Sequence, residues 1–305
     1  MLFRRETVLM RNRIQYLKTV LIIFIILTAL YSKTYANKPL WRIFYIANVN
    51  GVIENCRCTE PSLGGLDYLH GTLMELKEDS IPHIFIDGGD FCNPYPYPLL
   101  NRTVLSIYQK MRPDIMVLGD QDINELNLLK NNYRLWPGTS ILGTNIKLSN
   151  LPMSTVQRYD LPDNLSLNLV SYLDNKAFDF IEQPEQLKFE GGRFDSVYHS
   201  LPERQTINGL IYHGPARRLN PMIQKYPKFD FLLLGHSQYK GRLEGYPLPV
   251  IGGGTDGHYL IEIRVISEQS LVKFEIMEHQ VDLSKNRDSR IHQMIQRFKG
   301  KVNRQ

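Results

Sequence analysis

The sequence predicts an α/β fold built on buried, largely parallel strands. Short apolar runs alternate with segments of helical periodicity, and polar residues recur where the apolar runs end. Near-continuous apolar strands are typical of sheets that are covered on both faces. With 305 residues, of which 43% are hydrophobic and 22% charged, the chain is long enough to bury a sizeable core. We expect one large domain.

Each predicted element follows from its own pattern. Leucines at 66, 69, 73 and 76 indicate a first helix, residues 99–111 a second, and a third begins near residue 123. The later strands are short and turn-linked, which favours antiparallel pairing among them, and residues 126–208 carry the weakest pattern. The predicted strands are Trp41–Ala47, Ile84–Ile86, Ile115–Leu118, Leu165–Ser171, Gly209–Tyr212, Asp230–Leu234, Pro249–Gly252, Tyr259–Val265 and Leu271–Met277.

The formal charge of +5 comes from the two ends of the chain. Residues 1–36 hold six basic residues and one acid, and residues 285–305 hold seven and one. Residues 37–284 carry 23 basic and 29 acidic residues, so the body of the protein is acidic. An acidic body is a poor nucleic-acid binder, and no nucleic-acid partner is expected. We interpret 285–305 as a basic, solvated C-terminal helix or tail.

Residues 1–36 are typical of an export signal. Basic residues precede an apolar run at 20–31, and Thr34-Tyr35-Ala36 offers small residues at the two positions that a signal peptidase reads. The run is shorter than the roughly 20 residues that a membrane-spanning helix needs. We therefore expect an exported, periplasmic or extracytoplasmic protein, with an uncleaved membrane anchor through residues 20–31 as the alternative.

Export makes the three cysteines informative, because disulfides persist in oxidising compartments. Cys56 and Cys58 form a C-x-C pair, and Cys92 lies 34 residues after Cys58. Neighbouring cysteines in C-x-C seldom bridge each other without strain, so a bridge from one of them to Cys92 is the first expectation. The alternatives for the remaining cysteine are a free thiol, a bond between chains or a thiolate metal ligand.

Polar residues follow five predicted strands in register. Chemistry in α/β sheets collects at the carboxyl ends of strands, where loops leave the sheet. One strand end with Asn, Asp or Gly means little, because turns favour these residues. Five such ends, two of them with histidine, indicate a site. The stretches are Asn48-Val-Asn50-Gly51, Asp87-Gly-Gly-Asp90, Gly119-Asp-Gln-Asp122, Tyr212-His213-Gly214 and Gly235-His-Ser-Gln238.

Together these stretches resemble the metallophosphoesterase (calcineurin-like) superfamily, in particular its 5′-nucleotidase-like branch. The family series runs D-x-H, G-D, G-N-H-E/D, H and G-H-x-H, and the resemblance spans roughly residues 41–265. It implies a layered α/β/β/α sandwich with mixed sheets over residues 37–284. We expect no counterpart in this sequence of the 5′-nucleotidases' additional C-terminal substrate domain.

The resemblance implies a site for one or two divalent metals, such as Mn, Zn or Fe. Asp90 would bridge the two metals, and Asp120, His213 and His236 would complete one half-site with it. The other half-site would use Asn48, Asn50 and Gln238 with Asp90. Amides are weaker ligands than the Asp and His that the family has there, so the dinuclear site is expected to be weakened.

The catalytic positions also depart from the family. Gln121 stands where the family's catalytic histidine protonates the leaving group, which an amide cannot do. Asp122 could substitute as the acid if its pKa were raised.

The resemblance therefore implies an exported metal-dependent hydrolase of phosphoesters or nucleotides. The alternative is an inactive binding or scaffolding subunit of an exported complex with a protein partner. The substrate would be read by residues 126–208 and the loops around Tyr239–Pro249.

Overall fold

A computed structural model describes residues 16–23, 39–56, 60–132, 134, 136–268 and 271–304. Residues 16–23 form a helical segment with exposed side chains. Residues 34–36 of the predicted cleavage site, residues 24–31 of the apolar run and Cys58 lie outside the described residues. Within those ranges, no helix combines the length and the apolar character that crossing a membrane requires.

Strands and helices alternate through most of the chain. The strands are β1 (Trp41–Ile46), β2 (Asn55–Cys56), β3 (Leu63–Gly64), β4 (His83–Asp87), β5 (Ile115–Val117), β6 (Ser140–Leu142), β7 (Ile146–Leu148), β8 (Gln157–Asp160), β9 (Ser166–Leu173), β10 (Leu187–Phe189), β11 (Thr206–His213), β12 (Phe231–Gly235), β13 (Lys240–Leu243), β14 (Val250–Gly253), β15 (Tyr259–Glu268) and β16 (Leu271–Gln280). The α-helices are α1 (Leu66–Leu76), α2 (Pro98–Met111), α3 (Asp120–Asn124), α4 (Leu126–Asn132), α5 (Gly191–Ser200), α6 (Leu219–Lys225) and α7 (Ser289–Val302). Short 3-10 helices lie at Pro162–Asn164, Asn175–Phe180 and Ala216–Arg218.

Two six-stranded mixed sheets carry the fold. The first has the order β16-β15-β1-β4-β5-β6, in which β1, β4, β5 and β6 are parallel. The second has the order β13-β14-β12-β11-β9-β8, in which β14, β12, β11 and β9 are parallel. The expected antiparallel pairing is therefore wrong for these four strands, because α5 and α6 return the chain between β9, β11 and β12, and the antiparallel strand β13 returns it between β12 and β14. It is correct for β15 and β16.

The layers form the α/β/β/α sandwich that the sequence predicted. One apolar core lies between the two sheets and includes Tyr45 and Ile86 from the first and Leu233 from the second. A second core packs α1, α2 and α7 on the outer face of the first sheet. A third packs α5 and α6 on the outer face of the second sheet.

The C-terminal helix α7 is part of the domain core. Ile291 and Ile295 are buried, with Met294 and Phe298 packed beside them, at the spacing of a helix with one apolar face. Asp288 caps the helix by accepting from the backbone N–H groups of residues 290 and 291. The predicted helix is present, but the expectation that it is fully solvated is wrong for its apolar face.

Candidate metal centre

The predicted ligands lie on four loops that leave the carboxyl ends of parallel strands. Asp90 follows β4, and Asp120 begins α3 directly after β5 in the first sheet. His213 ends β11, and His236 follows the last residue of β12 in the second sheet. His213 is paired with Gly235 across these two strands, so the two imidazoles leave the sheet side by side. The site therefore lies where the ends of the two sheets meet.

These four residues form a compact cluster. One ligand atom from each of Asp90, Asp120, His213 and His236 lies within 4.8 Å of all the others. His213 Nε2 is 3.3 Å from a carboxylate oxygen of each aspartate. His236 Nδ1 is 2.9 Å from Asp120 Oδ1 and 3.5 Å from Asp90 Oδ2. Two carboxylates and two imidazoles at this separation are a donor set suited to a divalent transition metal.

The surroundings orient His213 for this role. Its Nδ1 lies 2.8 Å from the carbonyl oxygen of Gly88, and it donates to that oxygen when it carries the proton. The Nε2 atom then faces the two carboxylates. An imidazole that ligates a metal through one nitrogen commonly donates from the other to a carbonyl, which holds the ring in the required tautomer.

Opposite charges hold the cluster together without a metal. Burial opposes ionisation of His213, but the negative charge of Asp90 and hydrogen bonds to Asp120 and Asp90 raise its pKa well above its usual range. Burial also acts against the charge on His236, yet hydrogen bonds to the same carboxylates raise its pKa to about 9. Burial would raise the pKa of Asp90, whereas the two histidines lower it overall. Metal binding would replace protons on the imidazoles.

The backbone around the cluster is tightly constrained. A Cβ added at Gly119 would lie 2.1 Å from Asp90 Oδ1 and 2.6 Å from His213, so only glycine fits between them. Four residues of the site have left-handed φ angles between 52° and 59°, which is uncommon outside glycine and collects at functional sites. They are Asn48, Asn50, Asp90 and His236.

Asp122 is fully buried and holds two loops together. Its Oδ2 accepts from the backbone N–H groups of Asp90 (2.7 Å) and Gly119 (2.9 Å), and its Oδ1 accepts from that of Cys92 (2.9 Å). Burial, followed by the nearby charge of Asp90, raises its pKa well above the usual range. The raised pKa meets the condition set for a substitute acid, but the hydrogen bonds engage both oxygens with backbone groups. These hydrogen bonds support a positioning role for Asp122 rather than that of an acid.

The amides predicted for the second half-site are used mainly within the protein. Asn48 Oδ1 accepts from the backbone N–H of His236 at 2.7 Å, and Nδ2 donates to the carbonyl oxygens of Ser237 and Gly254. Asn50 Nδ2 donates to Thr255 Oγ1 and to a carboxylate oxygen of the next residue, at 3.0 and 2.9 Å. Gln238 is exposed. Asn48 therefore fastens the loop that carries His236.

Gln121 also contributes to this amide network. Its Nε2 donates to Asn50 Oδ1 at 3.1 Å, and its backbone N–H donates to Asp90 Oδ1 at 3.2 Å. Its Oε1 is buried and has no hydrogen-bond partner within the described part of the chain. The side chain thus lies beside the predicted metal ligands but offers no acidic proton.

Sequence reasoning assigned no role to three residues that support the site. Asp87 is buried, accepts from the backbone N–H of Gly89 and from the Tyr108 hydroxyl at 2.6 Å, and has its pKa raised to about 7 by burial and the charge of Asp90. Thr255 and Asp256 accept hydrogen bonds from the amide nitrogen of Asn50. Asp87 could have been noticed as a second acid at the strand end that carries Asp90.

The cysteines differ from the first expectation. Cys92 is a buried free cysteine, so the predicted bridge from it to Cys56 or Cys58 is wrong. Cys56 is disulfide-bonded. Burial, reinforced by the charge of Asp122, raises the pKa of the Cys92 thiol well above its usual range, which disfavours the thiolate that a metal ligand requires.

The fold is similar to those of several solved structures, although no family model and no curated protein matches the sequence. The sulfate thiohydrolase SoxB of Thermus thermophilus aligns with a TM-score of 0.70 and 12% identity over 86% of this chain and 60% of its own. A 5′-nucleotidase precursor from Thermus thermophilus aligns with a TM-score of 0.72 and 10% identity over 86% and 59%. The calcineurin-like phosphoesterase YfkN of Bacillus subtilis aligns with a TM-score of 0.62 and 13% identity over 86% and 97%.

These similarities establish the architecture of the domain. The chain has the metallophosphoesterase fold of the 5′-nucleotidase-like type, as the strand-end motifs predicted. It spans about three fifths of the length of the SoxB and 5′-nucleotidase chains.

Proposed function

We propose that this protein is an exported metal-dependent phosphoesterase with one principal metal position. The observation that carries the proposal is the cluster of Asp90, Asp120, His213 and His236, whose ligand atoms lie within 4.8 Å of one another. A divalent metal bound there would supply Lewis-acid stabilisation of the charge that develops on a phosphoester. The two carboxylates would bring charge balance, and the imidazoles would add nitrogen ligands, which favours Mn, Zn or Fe.

The residues of the chain define what this site can do with a substrate. Gln121 can orient a polar group by hydrogen bonding, but its amide does not act as a general acid at ordinary pH. Asp122 keeps the Asp90 loop and the start of α3 at a fixed separation. Hydrolysis would therefore depend on charge stabilisation and positioning, without the proton donation that the family's histidine provides. We expect turnover to be slow.

A second candidate function rests on the amide network. Both nitrogen donor positions of the Asn48 amide are engaged by backbone carbonyl oxygens, and Asn50 is bonded to Gln121, Thr255 and Asp256. Such internal engagement favours a protein that binds a metal or an anion without turnover, such as a subunit of an exported complex.

Export belongs to the same proposal. It is supported by the basic residues and apolar run within residues 1–36 and by the similarity to a 5′-nucleotidase precursor. The substrate proposed is a small phosphoester or nucleotide, in line with the similarity to a 5′-nucleotidase precursor and a calcineurin-like phosphoesterase.

Metal content and hydrolysis, measured on the same preparation, test the proposal. The full chain is purified without chelators, its metal per chain is determined, and turnover of p-nitrophenyl phosphate and AMP is assayed with added Mn²⁺ or Zn²⁺. One metal per chain with metal-dependent turnover supports the enzyme. One metal without turnover at any metal concentration favours the binding subunit. Absence of metal after reconstitution would contradict the metal-dependent function.

A further inference from the structure

The strand β16 forms one edge of the first sheet, and its ten residues pair with β15 without interruption. Among the residues that the structure describes, no strand pairs with its other side. Alternate residues of an edge strand direct their backbone N–H and C=O groups away from the sheet, where they can pair with another chain. Such edges are usually short, bent by a bulge or interrupted by proline, and β16 has none of these features. It is therefore a surface on which another strand can pair.

The inner face of β16 leaves the core between the two sheets incomplete at this edge. Val272, Phe274 and Ile276 pack against that core but are only half-buried. Val265 and Ile263, which lie opposite the last two residues on β15, are completely buried. A cavity of about 550 Å³, lined in part by Val272 and Phe274, opens between β16 and the second sheet. A further strand beside β16 would extend the apolar core over this opening.

The outer face of β16 carries two apolar and two charged residues in a regular order. Leu271 and Met277 are 67% and 37% exposed. Lys273 and Glu275 lie between them on the same face and are also exposed. The order along the strand is apolar, positive, negative, apolar. An antiparallel copy of the same strand therefore presents an apolar residue to each apolar residue and the opposite charge to each charge.

The charges on this face distinguish between the possible antiparallel registers. With a twofold axis at Phe274, Lys273 lies opposite Glu275 of the second copy, and Leu271 lies opposite Met277 of the second copy. An axis one residue later would set Glu275 opposite its own copy, and an axis one residue earlier would do the same for Lys273. Like charges directly opposite one another destabilise a strand pair. The charges therefore favour the register centred on Phe274 over its two neighbours.

We propose that β16 pairs in this register with β16 of a second copy of the chain, so that the first sheets of two molecules join into one continuous sheet. The same axis sets Val272 opposite Ile276 of the second copy and brings the two Phe274 rings side by side, which continues the apolar core across the interface. The partner is a second copy because β16 complements its own sequence on both faces, as a symmetric dimer interface requires.

Sedimentation velocity of the full chain over a range of concentrations tests the pairing, and the wild type is expected to dimerise. Lys273→Glu and Glu275→Lys each turn two contacts between opposite charges into contacts between like charges, so each is expected to weaken dimerisation about 10- to 100-fold. An equimolar mixture of these two variants brings opposite charges together again and is expected to form a heterodimer. Lys188→Glu, which changes an exposed residue of β10, is the charge-matched control and should dimerise as the wild type does.

Circular dichroism and urea denaturation check that each variant is folded, because Glu275 also lies opposite Arg264 on β15. Lys273 lies opposite Ile266, so Lys273→Glu alone keeps the test decisive if Glu275→Lys does not fold. A wild type that stays monomeric at every concentration, or a dimer of undiminished strength in Lys273→Glu, would overturn the proposal. A mixture of the two folded variants that remains monomeric would also overturn it, because the opposite charges would then not be facing each other.

Discussion

Asn48 Oδ1 accepts a hydrogen bond of 2.7 Å from the backbone N–H of His236, which lies 188 residues away in the sequence. The same amide donates to the carbonyl oxygens of Ser237 and Gly254. Asn48, which the resemblance implied as a weak metal ligand, therefore acts as a clamp between the end of β1 and the loop after β12. This role depends on the amide nitrogen, which a carboxylate lacks.

Asn48→Asp, which introduces the aspartate of the D-x-H motif, is expected to destabilise the metal-free protein. The carboxylate cannot donate, so the buried carbonyl oxygen of Gly254 and the partly buried one of Ser237 lose their partner, at a cost of about 2–4 kcal/mol in the free energy of unfolding. Urea denaturation in the presence of EDTA measures the change. Asn150→Asp is the matched control, because Asn150 is an exposed asparagine whose φ of 64° resembles the 54° of Asn48. Equal stability of Asn48→Asp and wild type would contradict the clamp.

Asp90→Asn is expected to abolish metal binding and any hydrolysis. A ligand stabilises the native state in proportion to the logarithm of its concentration relative to its Kd, so saturating Mn²⁺ should raise the melting temperature of the wild type but not of the variant. Differential scanning fluorimetry with and without EDTA provides the measurement.

The control for Asp90→Asn is Asp163→Asn, an exposed residue whose φ of 61° matches the 59° of Asp90. Asparagine tolerates this backbone conformation, so neither change adds strain. Hydrolysis or a metal-induced shift that survives in Asp90→Asn would refute the assigned ligand set.

Gln121→His is expected to raise kcat for phosphoester hydrolysis by about 100-fold, the lower range for a positioned general acid. The imidazole can retain the hydrogen bond that Gln121 Nε2 makes to Asn50 Oδ1 and can also supply a proton. Steady-state kinetics with p-nitrophenyl phosphate measure the effect. Gln121→Ala removes the amide without adding an acid and should give no increase. A similar gain in both variants would show that access, rather than proton donation, limits turnover.

Glu262→Gln is expected to destabilise the fold far from the site. Glu262 is buried in the first sheet and accepts from Arg42, Arg264 and His279, so removing its charge weakens these contacts at a cost of about 1.5–3 kcal/mol, while Arg42 keeps its ion pair with Asp79. Glu203→Gln, which removes an exposed carboxylate paired with Lys228, is the control and should cost less than about 1 kcal/mol.

The stabilisation by Glu262 should depend on pH in a defined window. Burial opposes its charge, but hydrogen bonds from His279 and Arg264 lower its pKa from 4.5 to about 2. A lowered pKa in the folded state stabilises the protein above the ordinary value and ceases to do so as the carboxylate protonates. The difference in unfolding free energy between wild type and Glu262→Gln should therefore shrink as the pH falls from 4.5 towards 2. A difference that is constant over this range would contradict the assignment.

The sequence was sufficient to predict the convergence of Asp90, Asp120, His213 and His236. Parallel strands end at a common edge, which brings Asp90 towards Asp120 in the first sheet and His213 towards His236 in the second. That the two pairs meet was implied by the resemblance of the strand-end motifs. The orientation of the strands in the second sheet was harder to predict from the sequence, because α5 and α6 are short and show little helical periodicity. The strands between residues 140 and 189 are mostly of three or four residues, which is too short for a clear periodicity.

Residue roles that depend on distant partners could not be predicted. The identity of Asn48 alone does not tell whether it ligates a metal or holds a loop in place. These two roles are distinguished only by the positions of residues 236–254 in the fold. The state of Cys92 also depends on distant residues, since its sequence neighbours do not reveal that it is buried as a free cysteine without a disulfide partner. The burial of Ile291 and Ile295 was hidden by the seven basic residues of the C-terminal segment.

The position of β1 between β4 and β15 has a consequence for the order of events during synthesis. Residues 41–45 pair with residues 261–265, so the first sheet cannot close until nearly all of the domain has been made. Contacts of such wide sequence separation slow folding and leave apolar strand edges open in the meantime. An emerging chain of this topology therefore stays incompletely folded until residues 261–265 have been made.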